Sequence, residues 1–179
     1  MDKNKIARRG TIIIDIVLYA VTAALILNLP VMNVFLGRIF GTILAANGVL
    51  KIFGYFSKDL YCLAFEYDFG LGILMIIMGV SFYHFKEQQL ILLMIGIAFL
   101  ANSLFSAQMT QDARKFGLKA WHKILILSII CGTAATILIF NCVLFDDRWR
   151  WILALTTGSA ALLSHYVMVV TDRRAENRK

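Results

Sequence analysis

Apolar and polar residues follow one another along this chain in blocks of membrane length. Continuous apolar stretches cover 11–29, 34–53, 68–85, 90–108, 121–140 and 151–170, with short polar segments between them. As helices they would each be about 27–30 Å long, matching a hydrocarbon core of about 30 Å. The tightest break is Lys86-Glu87-Gln88-Gln89. It makes 67–108 the clearest helical hairpin and the stretch around which the rest is arranged. The pattern predicts an all-α integral membrane bundle of six transmembrane helices, arranged as three related helical hairpins in a single multi-pass domain spanning 1–179. The mixed aromatic and polar stretch 54–66 is expected to lie at the interface, 110–119 to form a basic loop, and 141–150 to form a turn.

Composition agrees with lipid as the solvent. The hydrophobic fraction is 60% and the charged fraction 16%, against about 45–50% and about 25% in soluble domains; the mean hydropathy is +0.75. The net charge of +7 would suit a nucleic-acid binder. Its distribution excludes one, because the basic residues sit in short segments between apolar runs, with no basic helix or aromatic-basic patch. Of the 18 Lys and Arg residues, only Arg38, Lys86, Arg148 and Arg150 fall on one face of the six-span map. The remainder gather at the N-terminus, after the second span, before the fifth and in the tail. The positive-inside rule then puts both termini in the cytoplasm of a bacterial cytoplasmic membrane. Trp121, Trp149 and Trp151 fall at span ends, and Tyr55, Tyr61 and Tyr67 crowd the inner interface, where amphipathic rings prefer to sit. The first run is longer than a signal-peptide core and lacks an A-x-A-like site before Pro30, so it is expected to remain as a helix.

The even-numbered spans share a faint repeat. Gly41 is followed six residues later by Asn47, Gly96 by Asn102, and Gly158 by Ser164. Each polar residue would lie about 19 Å from the outer end, in the cytoplasmic half. The small-xxx-small patterns Gly37/Gly41, Ala154/Gly158 and Gly132/Thr136 allow close helix approach, within the chain or with a second copy or another membrane protein.

Asp68-Phe69-Gly70 entering the third span, Gly79 within it, Gly96 in the fourth and Gly132 in the fifth carry a resemblance. So does the loop Asp112-Ala113-Arg114-Lys115-Phe116-Gly117-Leu118-Lys119-Ala120-Trp121. In order and spacing the chain resembles the HdeD-like acid-resistance membrane proteins, small six-helix bacterial proteins with a repeated domain of unknown function. The likeness is best over 67–141. The family's outer turns often end in Asn-Pro or a similar pair; here only the first turn has a proline. The resemblance implies an inner-membrane protein linked to acid or general stress, with no assigned chemistry.

Ionisable groups inside apolar spans are costly, and each is a functional candidate. Asp15 near the start of the first span and Lys51 near the end of the second are read as being at similar depth. They either form an ion pair, or Lys51 snorkels while Asp15 sits among headgroups near Arg9. Asp68 is expected to cap the third helix or, with Glu66, to carry a proton. His84 and His122 lie at interfaces; His165, inside the sixth span, is taken as the most buried histidine and the best pH sensor. Asn47, Asn102 and Ser164 either hold helices together or line a polar route. The three cysteines, Cys62, Cys131 and Cys142, form no CxxC or Cys/His cluster, so no metal site or disulfide is expected. GxSxG, HExxH and P-loop motifs are missing, no cofactor is implied, and the loops are too short for a catalytic domain. The expected function is therefore non-enzymatic: a stress-associated protein of the bilayer. The alternative is a small transporter or channel subunit, which requires the polar candidates to converge on one cavity.

Overall fold

The computed structural model describes residues 3–29, 31–57, 65–115, 121–144 and 148–176. They form six helices and no strand: α1 (Lys3–Ile26), α2 (Val31–Ser57), α3 (Phe65–Ser81), α4 (Gln88–Lys115), α5 (Trp121–Leu144) and α6 (Trp149–Glu176). The all-α bundle expected from the pattern is what the chain forms. All but α3 contain a stretch long and apolar enough to cross a membrane; α3 is shorter, with its apolar part at Phe69–Ser81.

Helix ends depart from the apolar blocks for one reason: polarity does not stop a helix, but backbone chemistry does. The expected basic loop at 110–119 is helical as far as Lys115, because Gln111 to Lys115 contains no glycine or proline and favours helix. In the same way α2 runs past 53 to Ser57, α6 runs past 170 to Glu176, and α1 starts at Lys3. In contrast, α3 stops at Ser81, before the apolar run is over, and Phe82 to His84 form a turn with the His84 amide bonded to the Ser81 carbonyl. α1 ends in a Schellman motif. Asn28 takes φ 56°, its N–H bonds to the Leu25 carbonyl, and the Leu29 N–H reaches back to Ala24. Asparagine tolerates this left-handed position better than other side chains except glycine.

The outside of the bundle is apolar. Ile13, Ile16, Ile77, Leu104, Ile126, Phe140, Leu155 and Leu162 are all more than half exposed. A water-soluble helix would place polar residues there, so the outward face is built for lipid. Inside, Phe40, Phe82, Ile95, Leu138, Leu153 and Leu163 are buried, and Phe40 meets Phe99 edge-on at 6.4 Å.

Lipid supplies no hydrophobic drive for helix association, so close backbone approach and hydrogen bonds must supply it. Around the bundle the helices run α3, α2, α1, α6, α5, α4. The closest pair is α2 with α3. A Cβ placed on Gly41 would meet the Gly79 carbonyl at 2.7 Å, and one on Gly48 would meet the Gly72 carbonyl at 2.5 Å. Both glycines on each helix are seven residues apart, two full turns, so the two antiparallel helices close on each other twice. α4 and α5 repeat the device: Gly96 lies under Ile139, and Gly132 lies against the Ser103 hydroxyl. α6 and α1 repeat it with polar groups, the Thr22 and Thr157 hydroxyls bonding at 2.8 Å beside Gly158.

The tightest units are thus α2–α3 and α4–α5, both out of phase with the hairpins formed by the short connections, while α6 packs equally closely on α1 and on α5. The central hairpin holds as a connection, yet α3 and α4 touch only sparsely. The side chains of Leu71, Met75 and Met78, all buried, form one face of α3, which the buried Phe82 of the following turn extends.

Candidate functional site

On each even helix, six residues amount to about 600° of rotation, which leaves the polar residue about 120° around from the glycine. The glycine faces its partner odd helix, and the polar side chain faces the middle of the bundle. Asn47 of α2, Asn102 of α4 and Ser164 of α6 accordingly line one cavity of about 100 Å³, together with Lys51. Thr11, Ile14 and Leu18 of α1, Leu71 of α3, Phe99 and Ser106 of α4 and Leu163 of α6 complete much of the wall. The cavity lies in the half of the bundle that carries most of the basic residues.

Asp15 is not on this wall; it lies next to Ile14 in sequence, on the side of α1 that faces α6. It is 2% exposed, and its carboxyl oxygens have no hydrogen bond of ordinary geometry, although the Ser164 hydroxyl lies close enough to act as a donor. Ser164 is thus its α6 hydrogen-bonding neighbour, and His165 bears on it electrostatically. Buried hydroxyls behave differently. Ser103, Thr110, Ser128, Thr156, Thr157 and Ser159 each donate to a carbonyl of their own helix, the usual way of satisfying Ser and Thr in an apolar helix. Among the described residues only Asp15 and the Asn141 side-chain oxygen are buried without such a partner.

Three expectations about this site change. The Asp15–Lys51 ion pair does not form: neither Asp15 oxygen is bonded to Lys51, and the helix register sets the two at different levels. Leu50 packs over Gly10, so Lys51 is level with Arg9 and about 9 Å along the bundle from Asp15. His165 is exposed on the outside of α6 rather than buried, one residue and about 100° from the cavity-lining Ser164. Asp68 lies inside the helical range of α3 rather than ahead of it, so it is not an N-cap. Its side chain and that of Glu66 lie outside the described residues, as does Cys62. His84 and His122 are exposed at opposite ends of the bundle. No group of three or more metal-ligating side chains occurs among the described residues.

Sequence reasoning did not single out Thr11 or Ser106, nor the pairing of Gly48 with Gly72. The seven-residue spacing of small residues on α2 and α3 was the signal for that pairing. At the other end of the bundle a second cavity is lined by Leu25, Ile26, Asn28, Trp149, Arg150 and Trp151, with the Arg150 guanidinium 5.2 Å from the centre of the Trp149 ring.

Comparison of the chain with protein-family models, with curated proteins and with solved structures finds no match.

Proposed function

We propose that this chain is a small multi-pass transporter or channel subunit of the bacterial cytoplasmic membrane, non-enzymatic and with both termini in the cytoplasm. The observation that carries the reading is convergence: Asn47, Lys51, Asn102 and Ser164, from three separate helices, share one cavity. Helix-to-helix glue would have its polar groups satisfied pairwise, as Thr22 and Thr157 are. Here amide and hydroxyl groups from three helices line a common space of about 100 Å³, large enough for a small polar solute. The basic residues at the cavity end support a cytoplasmic opening.

The test is flux. Proteoliposomes carrying the full chain are challenged with small uncharged polar solutes, urea and glycerol among them, and volume change is followed by light scattering. Permeation faster than in empty vesicles is expected, falling several-fold in Asn47→Leu and Asn102→Leu while the thermal midpoint is held. Equal rates in wild type, variants and empty vesicles would remove the reading.

A second reading comes from the sequence resemblance: acid or general stress as the setting, as for HdeD-like proteins. Acid-shock survival of the host lacking the gene, with and without complementation, checks it.

A further inference from the structure

Polar side chains line the inner cavity in steps of one helical turn. On α2 Lys51 follows Asn47 by four residues, and on α4 Ser106 follows Asn102 by four, so each pair shares one helix face about 6 Å apart along the axis. Among the described residues of the wall Lys51 is the only charged one, and none is acidic. Two hydroxyls are already committed. Ser106 donates to the Asn102 carbonyl at 2.8 Å, and Ser164 is the hydrogen-bonding neighbour of Asp15. An occupant therefore meets chiefly the Lys51 ammonium and the Asn47 and Asn102 carboxamides. Most of the remaining wall is apolar, with Leu18, Leu71, Phe99, Phe105 and Leu163.

We propose that the inner cavity binds a short monocarboxylate. Lys51 supplies the charge, the N–H groups of the Asn47 and Asn102 carboxamides donate to the carboxylate oxygens, and the alkyl end lies on the apolar wall. The carboxylate becomes the solute of the transporter or channel read above, on which this assignment rests. Lys51 also interacts within the protein; an ammonium has three N–H donors, so it can hold a neighbour and an anion together. One positive charge with neutral donors suits a singly charged anion and leaves a dianion only half neutralised. A halide would meet the ammonium but cover none of the apolar wall, whereas an alkyl group removes that surface from water. At about 100 Å³ the cavity is smaller than one of about 150 Å³ that holds benzene, so acetate or propionate fits and a long acyl chain does not.

The surrounding charges favour an anion at the Lys51 end. Arg9 of α1 is level with Lys51, because Leu50 packs over Gly10, and Arg114 and Lys115 end α4 on the same side. Asp15 lies behind the wall, beyond Ser164. Coulomb energy falls as 1/r, so a carboxylate about 3 Å from the ammonium is attracted more strongly than the farther Asp15 repels it.

The test uses the full chain in mild detergent at neutral pH, with thermal unfolding followed in sodium acetate, propionate, chloride and gluconate at constant ionic strength. Binding to the folded state raises the midpoint with the logarithm of free ligand. Acetate or propionate is expected to raise the midpoint above its value in chloride, and gluconate, too large to enter, is not. Lys51→Met abolishes the rise, and Asn102→Leu moves it to several-fold higher concentration. Equal midpoints in the four salts overturn the proposal. So does a rise with chloride as large as that with the carboxylates, or a rise that survives Lys51→Met. If Lys51→Met fails to fold, the Asn102→Leu shift decides. Flux of urea and glycerol tests the cavity separately, so carboxylate binding can fail while the cavity reading stands.

Discussion

Gly79 offers a measurement whose size follows from the structure. A Cβ there would lie 2.6 Å from the Gly41 carbonyl oxygen, 2.7 Å from the Ala45 amide nitrogen and 2.9 Å from the Ala45 Cβ. These are backbone atoms or rigidly attached carbons, so no side-chain rotation relieves them. Restoring ordinary contact near 3.4 Å requires α2 and α3 to separate by about 0.8 Å, which also loosens the second closure at Gly48 and Gly72. Overpacking of this kind costs about 1–3 kcal/mol, and better helix propensity returns about 1 kcal/mol when glycine becomes alanine. Gly79→Ala should therefore lose about 1 kcal/mol. Gly70→Ala, on the same helix with nothing within 4 Å of the new Cβ, should gain about 1 kcal/mol from propensity alone. The two single-methyl variants differ by about 2 kcal/mol, or roughly 4–8 °C in midpoint for a chain of this size. Tryptophan fluorescence during heating in a mild detergent reads it. Equal midpoints, or a more stable Gly79→Ala, would mean that α2 and α3 are not held backbone to backbone.

Other consequences are simpler to state. Thr22→Val and Thr157→Val should each cost about 0.6–2 kcal/mol, and the double variant little more than either alone, because they remove the same 2.8 Å bond; strict additivity in thermal unfolding would contradict it. Cys131 and Cys142 are buried and should stay unlabelled by maleimide in a Cys62→Ser background until the protein is unfolded. His84→Cys and Lys115→Cys, both at exposed positions at opposite ends, should react with an impermeant thiol reagent in intact cells and only after permeabilisation, respectively; the reverse order would invert the proposed topology.

Much of the fold was legible because lipid imposes a length on apolar blocks, and six such blocks are written plainly in the chain. Helix ends were less legible. The segment from Gln111 to Lys115 is polar and was read as a loop, yet it holds good helix formers, and water around a helix end is no obstacle to it. The relative depth of Asp15 and Lys51 was misjudged for a related reason. Counting from the edge of each apolar block assumes that both helices begin at the same level, whereas register is set by contacts such as Gly10 beneath Leu50.

The glycine-to-polar spacing on α2, α4 and α6 carried more than it first showed. Its six-residue step fixes an angle of about 120°, and that angle alone sends three polar groups inward once each glycine is docked on its neighbour. The sequence could not say which neighbour. Short connections suggest α1 with α2, α3 with α4 and α5 with α6, but close approach follows the small residues instead: Gly41 and Gly48 onto α3, Gly96 and Ser103 onto α5, Thr157 and Gly158 onto α1. Two asymmetries then stand out against this internal repetition. α3 and α4 meet only sparsely, although the corresponding contacts of α1 with α2 and α5 with α6 are close. Asp15 holds the place of a glycine. The first departure borders the inner cavity, with Leu71 of α3 and Phe99 of α4 on its wall. The internal repetition therefore converges on one place, the cavity lined by Asn47, Asn102 and Ser164.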